Sequence, residues 1–256
     1  MKDNWKPEWF RQLRVPAFVG TGAYQVSFGT RKYLWGNMPA LDILQIKNNE
    51  GITGIDRNLD LLFAASGDLR NVVKSVVGLP EEHKRECAII LNDMEFLVVA
   101  RNAIMLLVAL LYDAEAAVPT IIHLWYSVSL PSVMVQALQS NILPLIEDVC
   151  NNIKDKPAGS LQAKTFTIND RKLRLVLKKE DWSRLTEHFA APKSVTVEVA
   201  KVVRRRVTLA PERIDYRERS MLLWPRTLRE IDIRFRKEGV LLPFGCSLAA
   251  FDTPNP

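Results

Sequence analysis

Apolar residues fall into two kinds of run along the chain. LDLLFAA (59–65) and CAIILND (87–93) are short and almost continuously apolar. Runs of that length and character predict strands covered on both faces. Between them, LRNVVKSVV spaces Leu69, Val72, Val73, Val76 and Val77 at helical intervals, and Gly78, Leu79 and Pro80 end that helix. A longer apolar helix follows over 94–112. The order strand, helix, strand, helix predicts parallel strands joined by crossovers, with helices on both faces.

The flanking pattern is less regular. WKPEWFRQLR predicts a short helix with Pro7 near its first turn, and the glycine-bearing stretch FVGTGAYQVSFGTRKYLWGNM predicts a looping entry. Its GTG reads as a turn, because no GK[ST] follows. PALDIL (39–44) predicts a short helix opened by Pro39. TIIHLWY fits a strand or a helix. PSVMVQALQSNILPLIEDVCNNI reads as helical, bent at Pro144. KDKPAGS (154–160) is polar and rich in breakers, and predicts a boundary. Beyond it, KTFTINDRKLRLVLKK predicts a hairpin turning at Asn169 and Asp170, and EDWSRLTEHF a short helix. KSVTVEVAKVVRRRVTLAPERID carries β-branched residues, its KVVRRR (201–206) suits an exposed strand with a solvated face, and an Arg-rich helical stretch follows. GVLLPFGCSLAAFDTPNP closes the sequence without a predicted packed element. The domain reading is an N-terminal extension (1–32), an α/β core (33–153), a linker (154–160) and an α+β extension (161–256), read as truncated or as a standalone version.

Composition narrows the class. In 256 residues, 48% are apolar, enough for a substantial core and against general disorder. FLVVARNAIMLLVALLY (96–112) is broken by Arg101 and Asn102, and the uninterrupted part is about half of the ~20 residues a membrane span needs. It reads as a buried helix, with Arg101 paired to a carboxylate such as Asp60 or Asp42. The three cysteines, Cys87, Cys150 and Cys246, are scattered, which suits a reducing compartment: the cytoplasm, with the nucleus open. With His83, His123 and His188 equally scattered, no metal site is expected. His123 reads as a core histidine and Cys87 as a buried thiol. The net charge of +6 permits an acidic partner. Its densest cluster, Arg204, Arg205 and Arg206, offers weak, electrostatic nucleic-acid binding or simply a solvated face. The tryptophans read as core and docking anchors.

The candidate chemistry lies where the predicted strands end. Ser66, Gly67 and Asp68 follow the first strand, and Asn92 and Asp93 close the second. Carboxyl ends of parallel strands form ligand crevices. Gly67 admits close backbone approach, the next helix presents free N–H groups, and Asp93 is placed to accept from ribose hydroxyls. The alternative is that Ser66, Asp68 or Asn92–Asp93 only cap helices. No catalytic residue stands out: GxSxG, HExxH and P-loop patterns are absent from the sequence.

YLWGNMPALDIL, LDLLFAASGDLRNVVKSV, ILNDMEFLVVARNAIMLLVALL and VLLPFG…FDTPNP together resemble an uncharacterised α/β domain of fungal proteins that often carry a MYND-type zinc finger. A related domain forms the N-terminal part of the dynein axonemal assembly factor 3 family. The resemblance covers residues from about Tyr33 onward and implies a Rossmann-like fold, similar to class I methyltransferases. It places Gly67 and Asp68 at the first ligand loop and Asp93 at the acidic end of the second strand. The methyltransferase glycine run is reduced here to Gly67, the [DN]PP[YFW] motif is missing, and no finger-forming Cys/His array is present. The resulting expectation is a non-catalytic, methyltransferase-like interaction or assembly module that takes no cofactor and engages a protein partner. The alternatives are an S-adenosylmethionine-dependent methyltransferase and a weak nucleic-acid binder.

Overall fold

A computed structural model describes residues 4–20, 34–36, 38–46, 48–49, 56–243 and 245–256. The predicted entry loop over 21–33, with its Gly22 and Gly29, lies outside the described residues. In chain order the elements are α1 (Glu8–Arg11), β1 (Leu59–Ala64), α2 (Arg70–Val77), β2 (Cys87–Asn92), α3 (Phe96–Leu111), α4 (Ala114–Tyr126), β3 (Ser129–Leu130) and α5 (Ser132–Asn141). They continue with α6 (Leu143–Asn152), β4 (Leu161–Ile168), β5 (Arg171–Lys178), α7 (Lys179–Thr186), α8 (Val197–Thr208), α9 (Ile214–Ser220), α10 (Arg226–Glu238) and β6 (Thr253–Pro254). They form two compact units interleaved in sequence. One comprises Met1–Lys32, Glu115–Leu145 and Phe189–Pro256, the other Tyr33–Ala114 and Ile146–His188.

The expected Rossmann-like parallel sheet is not present. Among the described residues there are three two-stranded sheets: β1–β2 parallel, β3–β6 antiparallel and β4–β5 antiparallel. The strand–helix–strand unit forms as the pattern predicts, with Leu59 opposite Cys87 through Ala64 opposite Asn92. It stops there because TIIHLWY, where another strand would be needed, is helical. It completes α4, which carries Pro119 inside it and has the helix formers Ala114 to Ala117 ahead of it. The pair is also covered on one face only. Leu59, Leu61 and Phe63 are buried, while Leu62 and Ile90 are 61% and 59% exposed on the other side. Continuous apolarity therefore overstated burial.

In the unit that holds β1 and β2, Leu61, Phe63 and Val72 pack with Leu44, Cys87, Ile89 and Leu91. The β4–β5 hairpin turns at Asn169, whose φ of 52° is a conformation asparagine tolerates, as the sequence predicts. Trp182 of α7 is fully buried, and its indole N–H donates to the Gln162 carbonyl at 3.1 Å.

In the other unit the N-terminal segment docks against α9. Arg14 grips Asp215 with two hydrogen bonds of 2.6 and 2.7 Å, and the Ala17 N–H donates to the same carboxylate. Phe18 sits edge-on to both Trp9 and Tyr216. KVVRRR, expected as a strand, lies in α8, whose first turn is capped by the Thr196 hydroxyl accepting from the Val199 N–H. Valines at 199, 202 and 203 fit a helical stripe as well as a strand face.

Candidate functional site

The candidate site grows from the end of β1. Ala65 and Gly67 both take positive φ, 51° and 59°, and this reverses the chain toward α2. The Ser66 N–H donates to the Asn92 carbonyl at 2.9 Å and so extends the parallel ladder by one bond. The Gly67 N–H donates to Asp93 Oδ2 at 2.8 Å, and the other Asp93 oxygen accepts from the Glu95 N–H at 3.0 Å. From α3, the Asn102 amide donates to the Gly67 carbonyl at 2.7 Å. The structure thus brings Ser66, Gly67, Asn92 and Asp93 together, with their backbone and the Asp93 carboxylate bonded to one another.

Asp68 faces elsewhere. It is 3% exposed and accepts from the Gly36 N–H at 2.7 Å and from Arg70 Nε at 2.7 and 2.9 Å. Burial alone would push its carboxyl up. The bonds from Gly36 and Arg70 outweigh that and hold it below the ordinary carboxylate range. Two further side chains continue the line along α2: Asn71 Oδ1 accepts from the Leu41 N–H at 2.9 Å, and Ser75 Oγ from the Ile43 N–H at 3.0 Å. Arg70 also donates to the Met38 carbonyl. Gly36 and residues 38–44 are therefore an irregular strap laid along α2, not the helix that Pro39 suggested. At Gly36 a Cβ would stand where the Arg70 guanidinium lies and would have to push that end group aside. Gly78 leaves room for Asp42, whose carboxylate a Cβ there would meet at 2.5 Å.

Sequence reasoning missed this strap. Its signal was present: Asp68, Asn71 and Ser75 recur at three- and four-residue intervals, an acceptor-bearing row along α2 and the turn before it. The two stretches joined by it, LWGNMPALDIL and SGDLRNVVKS, are among those that carried the family resemblance.

The remaining candidates resolve as follows. Arg101, expected to meet a carboxylate, donates to the Leu34 carbonyl, backbone of the segment leading into the strap. Asn102 is 4% exposed, and its Oδ1 is buried without a hydrogen-bond partner among the described residues. Cys87 is half-buried, and burial, with the Asp60 charge, pushes its thiol up, away from thiolate chemistry. Burial lowers His123, which pairs with the Ser127 hydroxyl at 3.0 Å. Arg204 is 7% exposed, and burial brings it down to about 10. It donates to the Tyr126 carbonyl at 2.7 Å, and Arg205 donates to the Lys237 carbonyl at 2.7 Å. Only Arg206 of the three is exposed, so the arginine run presents far less free charge than its sequence suggests. Among the described residues, no three His, Cys, Asp or Glu side chains gather closely enough to hold a metal ion. No described helix is long and apolar enough to cross a membrane.

Residues 34–130 match a family described as a domain of unknown function (DUF4470). The match takes in the strap, β1, α2, β2, α3 and α4, and ends at the last residue of β3. No curated protein matches the chain, and no solved structure does.

Proposed function

We propose that the chain is a non-catalytic interaction or assembly module that takes no cofactor and engages a protein partner, in the cytoplasm or the nucleus. The observation that carries this reading is the use made of the two strand-end carboxylates. Asp93 fastens the turn to the start of α3, and Asp68 holds the strap to α2. A ribose-binding carboxylate has to keep acceptor capacity for the ligand; here each Asp93 oxygen already accepts a backbone N–H, which takes up part of that capacity. The exposed apolar face around Leu62 and Ile90 gives a protein partner something to cover. The resemblance to fungal MYND-associated domains and to the N-terminal part of the dynein axonemal assembly factor 3 family supports the same reading. Calorimetry of the full chain against S-adenosylmethionine and S-adenosylhomocysteine tests it. The expected result is no heat of binding at millimolar ligand. Saturable binding lost in Asp93→Ala would replace this reading with the methyltransferase alternative. Weak nucleic-acid binding, if it occurs, centres on Arg206 and fades with salt.

A further inference from the structure

The segment Phe251–Asn255 is packed, contrary to the sequence expectation, and its contacts are those of a bound peptide. Thr253 and Pro254 pair antiparallel with Leu130 and Ser129, both of which are fully buried. The Asn255 N–H donates to the Val128 carbonyl at 2.9 Å. Its side-chain amide reaches three carbonyls at and just beyond the end of α4: Ser127 at 2.7 Å, Leu124 at 3.1 Å and His123 at 3.3 Å. A helix leaves its last carbonyls without partners, and Asn255 supplies them from outside the helix. Asp252 does the converse at α5, accepting from the Ser132 N–H at 2.9 Å. The Phe251 ring stands edge-on to the His123 ring, with centroids 4.8 Å apart. Backbone pairing gives such a peptide affinity, and an aromatic, a carboxylate and an amide at fixed positions give it specificity.

The stretch leading to this segment makes only short-range backbone-to-backbone bonds among its described residues, Cys246 N–H to the Pro243 carbonyl at 3.3 Å and Phe251 N–H to the Leu248 carbonyl at 3.0 Å. Among its described residues, 243, 245–247, 249 and 250 are exposed, and Leu242 and Leu248 half-buried. Extended, 242–250 would reach roughly 30 Å at ~3.3–3.6 Å per residue. A clasp on a tether of that length exchanges between copies at low cost, because every contact made in one chain is available in the other.

We propose that the groove formed by the end of α4, β3 and the first turn of α5 is a docking site for an extended Phe-Asp-Thr-Pro-Asn peptide, filled by the chain's own residues 251–255 and open to the same segment of a second copy. This gives the interaction role above a partner, and it can fail without touching that reading, since it does not depend on the methyl-donor titration. The test keeps the whole chain. A site-specific protease sequence is inserted between Gly245 and Cys246, and the folded protein is cut. The released segment should remain bound through gel filtration and should exchange with a fluorescent peptide of residues 247–256. The same peptide carrying Asn255→Ala should bind about tenfold more weakly, the equivalent of ~1.4 kcal/mol. In a second arm, deletion of residues 245–248 shortens the tether, and light scattering should show a dimer. A cut segment that leaves at once, with no uptake of the labelled peptide, overturns the docking site. A folded monomer from the shortened chain overturns the second copy as its source, and with it the proposal.

Discussion

The strap over α2 and the clasp on α4 solve one problem with opposite chemistry. Each lays an irregular segment against a helix through bonds between side chain and backbone. In the strap the helix side chains accept and the segment's N–H groups donate: Gly36 to Asp68, Leu41 to Asn71, Ile43 to Ser75. In the clasp the segment supplies the amide and the helix end supplies the carbonyls. The strap is held by a buried charge, Asp68, which water cannot readily reach if a partner is lost. The clasp turns on a neutral amide that is only half-buried. Buried charges lose more when unpaired than neutral groups do, so the two regions should answer mutation on different scales.

The largest effect is expected at Asp68. Asp68→Ala takes away the acceptor of Arg70 Nε and of the Gly36 N–H, while Arg70 keeps its bond to the Met38 carbonyl. Removing one member of such a pair costs about 3 kcal/mol, the low end of the usual range because Arg70 keeps some access to water. Chemical denaturation of wild type and variant measures it. A loss below ~1 kcal/mol would mean that the strap contributes little to holding α2.

The clasp should respond more weakly and with a different order. Asn255→Ala removes one amide donor from three carbonyls and should cost about 1–2 kcal/mol. Asn255→Asp removes the donor and adds a negative charge at the C-terminal end of α4, where the helix dipole opposes it. It should therefore cost more than the alanine change, by roughly 0.5 kcal/mol. Thermal unfolding of both variants gives the order, and an aspartate variant as stable as wild type would contradict the capping geometry.

Acid separates the two regions further. Asp68 titrates below its ordinary value in the folded chain, so the folded state holds fewer protons there than the unfolded one. Its contribution is full above the unfolded value of about 3.9 and is lost as pH falls through the folded value. The stability gap between wild type and Asp68→Asn should accordingly be constant from neutral pH down to about 5 and narrow below 4. The cost of Asn255→Ala has no such term of its own. Denaturant titrations at several pH values check both statements. A gap at Asp68 that widens in acid would mean that folding raises this carboxyl instead of lowering it.

How far these features could be read from the sequence differs in the same way. Periodicity located β1, α2, β2, α3 and the hairpin within a few residues, because each is a local pattern. It could not count the strands of the sheet, since the apolar run around His123 satisfies a strand and a helix alike and its neighbours decide. Of the candidate site, the grouping of Ser66, Gly67, Asn92 and Asp93 was legible from strand ends. The employment of Asp68 was not, because its partners at Gly36 and Arg70 include one 32 residues away in an irregular segment. Asn255 was less legible still: its acceptors lie 128 to 132 residues off and are backbone atoms, which carry no sequence signature.

The smallest effect is expected at Asp93, and it bears most directly on the proposed function. Its carboxylate bonds the Gly67 and Glu95 N–H groups at 2.8 and 3.0 Å, but it is only half-buried, so water can replace it at either. Asp93→Ala should cost about 1 kcal/mol, the scale of a lost helix cap. Asp93→Asn keeps one acceptor oxygen and should cost about half as much. Neither change should alter a methyl-donor titration, because a carboxylate that closes its own turn has no ligand contact to lose. A ligand site would behave otherwise: beyond that stability cost, the alanine variant would lose tenfold or more in affinity, ~1.4 kcal/mol or above. Measuring stability and ligand heat on the same two variants therefore distinguishes a turn that is held by Asp93 from a turn that holds something else.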